Sequence, residues 1–350
     1  MSLRAAYREA GVDIEAGERA VDILRAQLKI AETDLLGGIG GFGAALAIPT
    51  GYKEPVLVTA TDGVGTKTEI ARLLGRLDTI GIDLVAMCAD DIVCHGARPA
   101  YFLDYVAVGK LDPGRVAGLV AGVSEACDSI GCTLVGGETA EHPGLMAPDA
   151  FDLAGFCLGF VERGGLMDRT EAQAGDAILG LASNGLHANG YSLVRRLIAQ
   201  GSIRLEDVTD DGQTYGEVLL TPTRLYTPAI LALLGMLQAQ GLRSGGLAHI
   251  TGGGLAGNLP RAVGDDLGVR VELRSWVEPH IFETIGRLAG IGGAEMRATF
   301  NCGIGFAVVM EEAAVDDATT LLAEHGIDAW RIGEVRPINE LGGARYVEVA

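Results

Sequence analysis

Residues 56–67 read VLVTATDGVGTK, six β-favouring or small residues that run straight into Asp62-Gly63 and a glycine-bearing turn ending at Lys67. Valine and threonine suit a pleated, half-buried surface, and the Asp-Gly step breaks it, so the stretch predicts a strand that stops in a polar loop. Downstream, GIDLVAMCADDIVCHGA (81–97) is apolar at helical spacing, which predicts a helix from Thr79 to about Ala97. A second helix is expected over 113–130, where Val116, Leu119, Val120, Val123, Cys127 and Ile130 fall on one stripe. Strands are expected at 102–108, 133–135 and 152–161. Strands interleaved with helices make the first half an α/β arrangement with mixed sheets.

Working outward, residues 14–30 predict an amphipathic helix, followed by a glycine cluster at 37–43. After the strand at 152–161, ERGGLMDRTEAQAGD (162–176) is polar and turn-rich, and two domains are expected, 1–169 and 170–350. The second half predicts a strand at 177–182, helices at 190–200 and 222–239, and strands at 268–273, 302–310 and 329–335.

The 350 residues are 48% hydrophobic and 21% charged, which excludes a disordered chain. A formal charge of -19 argues against nonspecific binding to nucleic acid or to an anionic membrane. There are 52 glycines with no collagen period, so they serve turns, close backbone contacts or loops whose amides face a ligand. The lysines are Lys29, Lys53, Lys67 and Lys110, all in the first half. With so few, a polyphosphate would need carboxylates holding Mg²⁺. The cysteines form no CxxC pair and sit in apolar segments, as buried thiols in a reducing cytosol would. The opening MSLRAAYREAGVD lacks an apolar signal core, and no apolar run reaches about 18 residues. A cytoplasmic protein is expected.

Several motifs point to phosphate chemistry. GIGGFG places Gly38, Gly40, Gly41 and Gly43 on the G-x-G-x-x-G pattern, but a helical pattern precedes it and Pro49 cuts the next segment short, so a Rossmann fingerprint fails. A glycine loop presenting amides to phosphates, or a plain turn, remains. Asp62 and Gly63 at a strand end suit Mg²⁺, with Lys67 reaching a phosphate; a solvated turn is the alternative. Asp83 and Asp90 on the 81–97 helix are seven residues apart, about 10 Å along the axis, which suits a row of carboxylates, with Asp91 beside them, along phosphates bridged by more than one cation; a solvated polar face is the alternative. LVGGETAEHPG (134–144) repeats the pattern of a strand, two glycines and an acid, Glu138, next to Thr139. In the second half, SNGLHANG (183–190) holds His187, with Asn189 placed to cap the helix after it, and HITGGG (249–254) holds His249, Thr251, Gly252, Gly253 and Gly254. Bare amides opening a helix attract an anion such as a sugar phosphate. Either histidine alone is as well read as a structural hydrogen-bonder. Cys302 in NCGIG has no histidine nearby in sequence and reads as a buried thiol.

These segments, with AGVDIEAG (10–17), FLDYVAVGKL (102–111) and FNCGIG (300–305), run in order over nearly the whole chain and resemble the phosphoribosylformylglycinamidine cyclo-ligases. The resemblance implies ATP-dependent ring closure of formylglycinamidine ribonucleotide to aminoimidazole ribonucleotide in purine biosynthesis. It implies a homodimer of two-domain α/β subunits whose N-terminal sheets join into a β-barrel, with ATP bound near that domain. It also implies Mg²⁺ on Asp62, Asp91 and Glu138, ATP phosphates on Lys67 and the Gly38–Gly43 loop, and nucleotide contacts at Gly63, Asp83 and Thr139. Substrate phosphate would lie on Asn189 and Thr251–Gly254. His187 and His249 would be proton carriers or substrate ligands. The family's helix commonly reads Asn-Asp where this chain has Asp90-Asp91, so the metal role falls on Asp91.

Overall fold

A computed structural model describes residues 43–350 together with Glu15, Arg19 and Leu36. The helix expected over 14–30, and Gly38, Gly40 and Gly41, lie outside the described residues. The chain forms two compact units, Met1–Ile92 with Pro99–Glu162, and Val93–Arg98 with Arg163–Ala350. The membership of residues 93–98 in the second unit is something that no periodicity in VCHGAR announces.

The first unit holds strands β1 (Pro55–Gly63), β2 (Arg98–Val108), β3 (Thr133–Glu141) and β4 (Phe151–Glu162) in the order β1-β4-β2-β3. β1 and β4 are antiparallel, with Asp62 opposite Gly155, and β2 and β3 are parallel, with Asp104 opposite Gly137. Helices α1 (Thr68–Leu74), α2 (Ile80–Val93) and α3 (Pro113–Ser129) complete it. Asp112 caps α3 by accepting the Arg115 amide at 3.0 Å, and Pro113 takes the first helical position, where a missing N–H costs nothing. α2 and α3 approach backbone to backbone at Gly81 and Gly122, where a Cβ on Gly81 would collide with the Val123 amide. α2 covers one face of the sheet, since a Cβ on Gly155 would press into Leu84, Cys88 and Phe102. The other face is apolar and open: Leu57 is 52% exposed, Phe156 41% and Tyr105 39%.

The second unit is a six-stranded sheet, ordered β10-β7-β9-β5-β8-β6, made of β5 (Ala177–Ala182), β6 (Ser244–His249), β7 (Leu267–Glu272), β8 (Ile304–Met310), β9 (Ala329–Pro337) and β10 (Tyr346–Val349). Every residue of β5 and β8 is buried, because helices sandwich these central strands and neither face meets water. α6 (Thr227–Gln240) and α10 (Val315–Glu324) cover one face through Ile230, Leu233, Leu237 and Leu322. α7 (Gly254–Asn258) and the turn after it cover the other through Leu255, Leu259 and Val263. The remaining helices are α4 (Tyr191–Ala199), α5 (Tyr215–Leu220), α8 (His280–Ala289) and α9 (Gly293–Thr299). β6 escapes sequence reading because SGGLAH has weak β propensity. Its glycines are set by packing, since a Cβ on Gly246 would strike the Ala262 carbonyl.

Candidate functional site

In the first unit β1 carries Asp62 to the sheet's end, where its Oδ1 accepts the Gly63 amide at 2.7 Å. Gly65, at φ +70°, turns the chain into the short helical turn Gly65–Lys67 that leads to α1. The charges of Asp62 and Asp91 both reach the buried Cys88 thiol, whose pKa is raised by burial first, then by Cys157 and by these two carboxylates. Asp90 is fully buried, so Asp91 is the more accessible of the adjacent pair.

Lys67 and Asp83 were both expected on the nucleotide. Each is fully buried, and Lys67 Nζ donates to Asp83 Oδ1 at 2.8 Å. Burial lowers the Lys67 pKa, and the adjacent carboxylate opposes that shift. As placed, the pair braces the 62–67 turn against α2. A lysine that ends a turn packed on an apolar helix finds its counter-charge inside the protein rather than in solvent.

Glu138 and Thr139 lie within β3, which runs through Gly136-Gly137 where a loop was expected. Gly137 is tolerated there because the Asp104 carboxylate fills the space its side chain would take. β1 and β3 are the two edges of the sheet, three strand spacings or roughly 14 Å apart, so Asp62 and Glu138 stand on opposite edges. Among the described residues no group of three or more His, Cys, Asp and Glu is gathered to hold a metal. Gly43 is exposed.

Asp104 was not foreseen. It is 9% exposed, its Oδ2 accepts no hydrogen bond, and burial raises its pKa from 3.8 to about 7. Unfolded, this carboxyl ionises near 4; folded, it keeps its proton to about 7. Folding therefore binds a proton between those values, and its stability falls as pH rises through them. Asp104→Asn is expected to melt at a higher temperature than wild type at pH 8, with the difference closing toward pH 4. Calorimetry across that range checks it, and a constant difference would contradict it.

In the second unit β5 and β6 both pair antiparallel with β8, so they run parallel to each other and their C-terminal ends share one edge. The loops after these strands, 183–190 and 250–253, are thus neighbours, and Asn189 Oδ1 lies 3.5 Å from where a Cβ on Gly252 would sit. Asn189 does not cap α4 as expected. The cap is Gly190 at φ +82°, with the Phe300 ring filling the place of its side chain. Gly252 and Gly253 are exposed, and Thr251 is partly so. Asn258 holds this loop, its side-chain amide donating to the Gly254 carbonyl at 2.9 Å and to the Gly252 carbonyl at 3.3 Å.

His187 and His249, 2% and 5% exposed, lie in one ring cluster. His187 packs on Tyr226 with centroids 6.0 Å apart, Tyr226 on Phe306 at 5.4 Å, and Phe306 on His249 at 6.1 Å. His187 adopts φ +63°, and a Cβ on Gly305 would collide with its ring and with the Tyr226 hydroxyl. Both imidazoles are therefore oriented by packing. Cys302 is buried, as expected, and burial raises its thiol pKa. Neither Tyr226 nor Phe306 carried a sequence signal; both read as ordinary core residues. A cavity of about 480 Å³ opens elsewhere in this unit, over α8 and α9 between Glu278, His280 and Arg287, and none of the expected residues lines it.

Comparison with known proteins places this geometry. Residues 43–161 match the N-terminal domain, and residues 173–342 the C-terminal domain, of the AIR synthase related proteins. The phosphoribosylformylglycinamidine cyclo-ligase of Paraburkholderia phymatum is 47% identical over 344 residues, 98% of this chain and 95% of that one. That of Sorangium cellulosum is 48% identical over 338 residues, 96% of each. In solved structures, the fold is shared with a thiamine-monophosphate kinase from Stenotrophomonas maltophilia, at TM-score 0.67 and 21% identity over 94% of this chain and 95% of that one. It is shared equally with the hydrogenase maturation protein HypE in complex with ATP, at TM-score 0.68 and 19% identity over 95% and 90%.

Proposed function

The chain belongs to the AIR synthase related family, as a nearly full-length relative of phosphoribosylformylglycinamidine cyclo-ligases, and from that premise we propose how its residues divide the work of their reaction. The reaction is the cyclisation step of purine biosynthesis, formylglycinamidine ribonucleotide to aminoimidazole ribonucleotide. The observation that carries the reading is 47% identity over 98% of the chain.

An amide oxygen is a poor leaving group. ATP phosphorylates the formamide oxygen and leaves as ADP. The amidine nitrogen then attacks the same carbon, loses its proton, and phosphate departs with the oxygen as the ring closes. Such a transfer needs alignment and charge neutralisation more than a protein nucleophile. The nucleotide belongs with the first unit, on the glycine loop ending at Gly43 and on the turn from Gly63. Asp62 and Asp91 would hold Mg²⁺, since both are hard carboxylates whose charges reach the same buried thiol, and Mg²⁺ is usually held by one or two carboxylates plus phosphates. Mg²⁺ would neutralise the phosphate oxygens. Glu138 and Thr139, at the other edge, would meet the nucleotide separately. Lys67 and Asp83 would hold the turn's shape from beneath.

In the second unit Asn189 and the amides of Gly252 and Gly253 would take the ribonucleotide phosphate, with Thr251 and Gly254 setting the loop. His187 and His249 would orient or relay a proton close to that loop, and neutral imidazole suits the proton lost on ring closure. The test is incubation with Mg²⁺, ATP and formylglycinamidine ribonucleotide. ADP and aminoimidazole ribonucleotide should form in equal amounts. ADP with a phosphorylated, uncyclised product would favour a kinase of the same fold instead.

A homodimer is part of the same reading. The open face of the first sheet, with Leu57, Phe156 and Tyr105 exposed and Leu103 and Leu158 between, is the surface two sheets would bury to close a barrel. Leu57→Glu is expected to halve the mass seen by light scattering, and an unchanged dimer would remove this face from the interface. The described residues include no helix long and apolar enough to cross a membrane.

A further inference from the structure

The two loops of the second unit share one backing, the segment from Arg297 to Asn301 that leads from α9 into β8. A Cβ on Gly254, φ +59°, would collide with the Arg297 carbonyl and lie 2.8 Å from the Phe300 carbonyl oxygen. Gly190 rests on the Phe300 ring. Asn301, 3% exposed, then clasps the start of the other loop. Its Oδ1 accepts from Ser183 Oγ at 3.0 Å and from the Gly303 amide at 2.9 Å, and its Nδ2 donates to the Gly185 carbonyl at 2.9 Å. The Ser183 amide donates back to the Gly303 carbonyl at 2.8 Å. Gly185 at φ +143° and His187 at φ +63° hold unusual backbone shapes between this clasp and Gly190. A loop held in such shapes needs surroundings that over-determine it, and Asn301 supplies both a donor and an acceptor to it.

We propose that Asn301 is a positioning residue for the substrate phosphate, fixing the 183–190 loop so that Asn189 stays against Gly252. Phe300 serves both loops from the same turn of chain, so the two halves of the anion cradle keep one spacing. The inference rests on the assignment of these loops to the ribonucleotide. Asn301→Asp is the sharpest variant: it keeps the acceptor and turns the donor facing the Gly185 carbonyl into a second, repelling oxygen.

The test measures KM for each substrate and hydrogen exchange of the loop amides in the full chain. Asn301→Asp should raise KM for formylglycinamidine ribonucleotide by at least about tenfold, because a small misplacement of a binding group is costly. KM for ATP should stay as in wild type, and exchange should quicken at 183–190 while β5 and β8 stay protected. Ser183→Ala, which loses one of the clasp's bonds, should move both readouts in the same direction by less, and it carries the test if Asn301→Asp does not fold. Unchanged exchange with unchanged KM, or an equal rise in both KM values, would overturn the proposal. If wild type forms no aminoimidazole ribonucleotide, the assigned function fails, and the exchange measurement still decides whether Asn301 sets the loop.

Discussion

Asp62→Asn should fold as wild type does and lose at least about 100-fold in turnover at saturating Mg-ATP, the scale of removing a preorganised charge from a transfer site. The shape should survive because an asparagine oxygen can still accept the Gly63 amide that Asp62 Oδ1 now accepts at 2.7 Å. What disappears is one of the two negative charges, those of Asp62 and Asp91, that reach the Cys88 thiol, and with it half of the pair that would hold Mg²⁺ on the phosphates. Asp91→Asn should lower turnover in the same direction, and the two losses should not add, because they serve one ion. Steady-state kinetics with melting curves as the control checks this. Turnover near that of wild type in Asp62→Asn would remove the metal from β1.

Lys67→Met should unfold the first unit far more easily than wild type. It leaves Asp83 fully buried without the ammonium now 2.8 Å away, and breaking a buried pair on one side costs about 3–5 kcal/mol. For a unit of this size that corresponds to a fall of about 10 °C in melting temperature. Lys67→Met with Asp83→Leu should recover most of the loss, since apolar replacement of both partners is often neutral. The double variant should also keep its KM for ATP, because the lysine braces the turn instead of meeting a phosphate. A large rise in that KM at normal stability would return Lys67 to the nucleotide.

Local order was well expressed in the sequence. The stripe on α3 and the presence of β4 derive from local sequence alone, whereas which face of β4 is buried, with Phe151, Leu153 and Cys157 in and Phe156 out, does not. Cys88, Cys127, Cys132, Cys157 and Cys302 are buried as their apolar neighbours suggested. Where spacing was silent, elements were missed. SGGLAH forms β6 because β8 offers it a ladder and Ala172 and Ala262 leave no room for side chains at Gly245 and Gly246. In LVGGETAE the glycines looked like a strand's end, yet the strand continues, since parallel pairing with β2 and the Asp104 carboxylate occupy what side chains would have filled.

The sequence by itself determined the strand that runs into Asp62-Gly63, the succession of motifs that marks the family, and hence the reaction. Each of these depends on residues a few positions apart, where backbone propensity and side-chain periodicity act directly. Tertiary structure alone decided that Lys67 faces Asp83, that Asp62 and Glu138 stand on opposite edges of one sheet, and that Asn301 clasps a loop more than a hundred residues earlier. Those outcomes arise from strand order and from which buried polar groups find partners. Both are set by contacts between distant parts of the chain, and no local pattern encodes them.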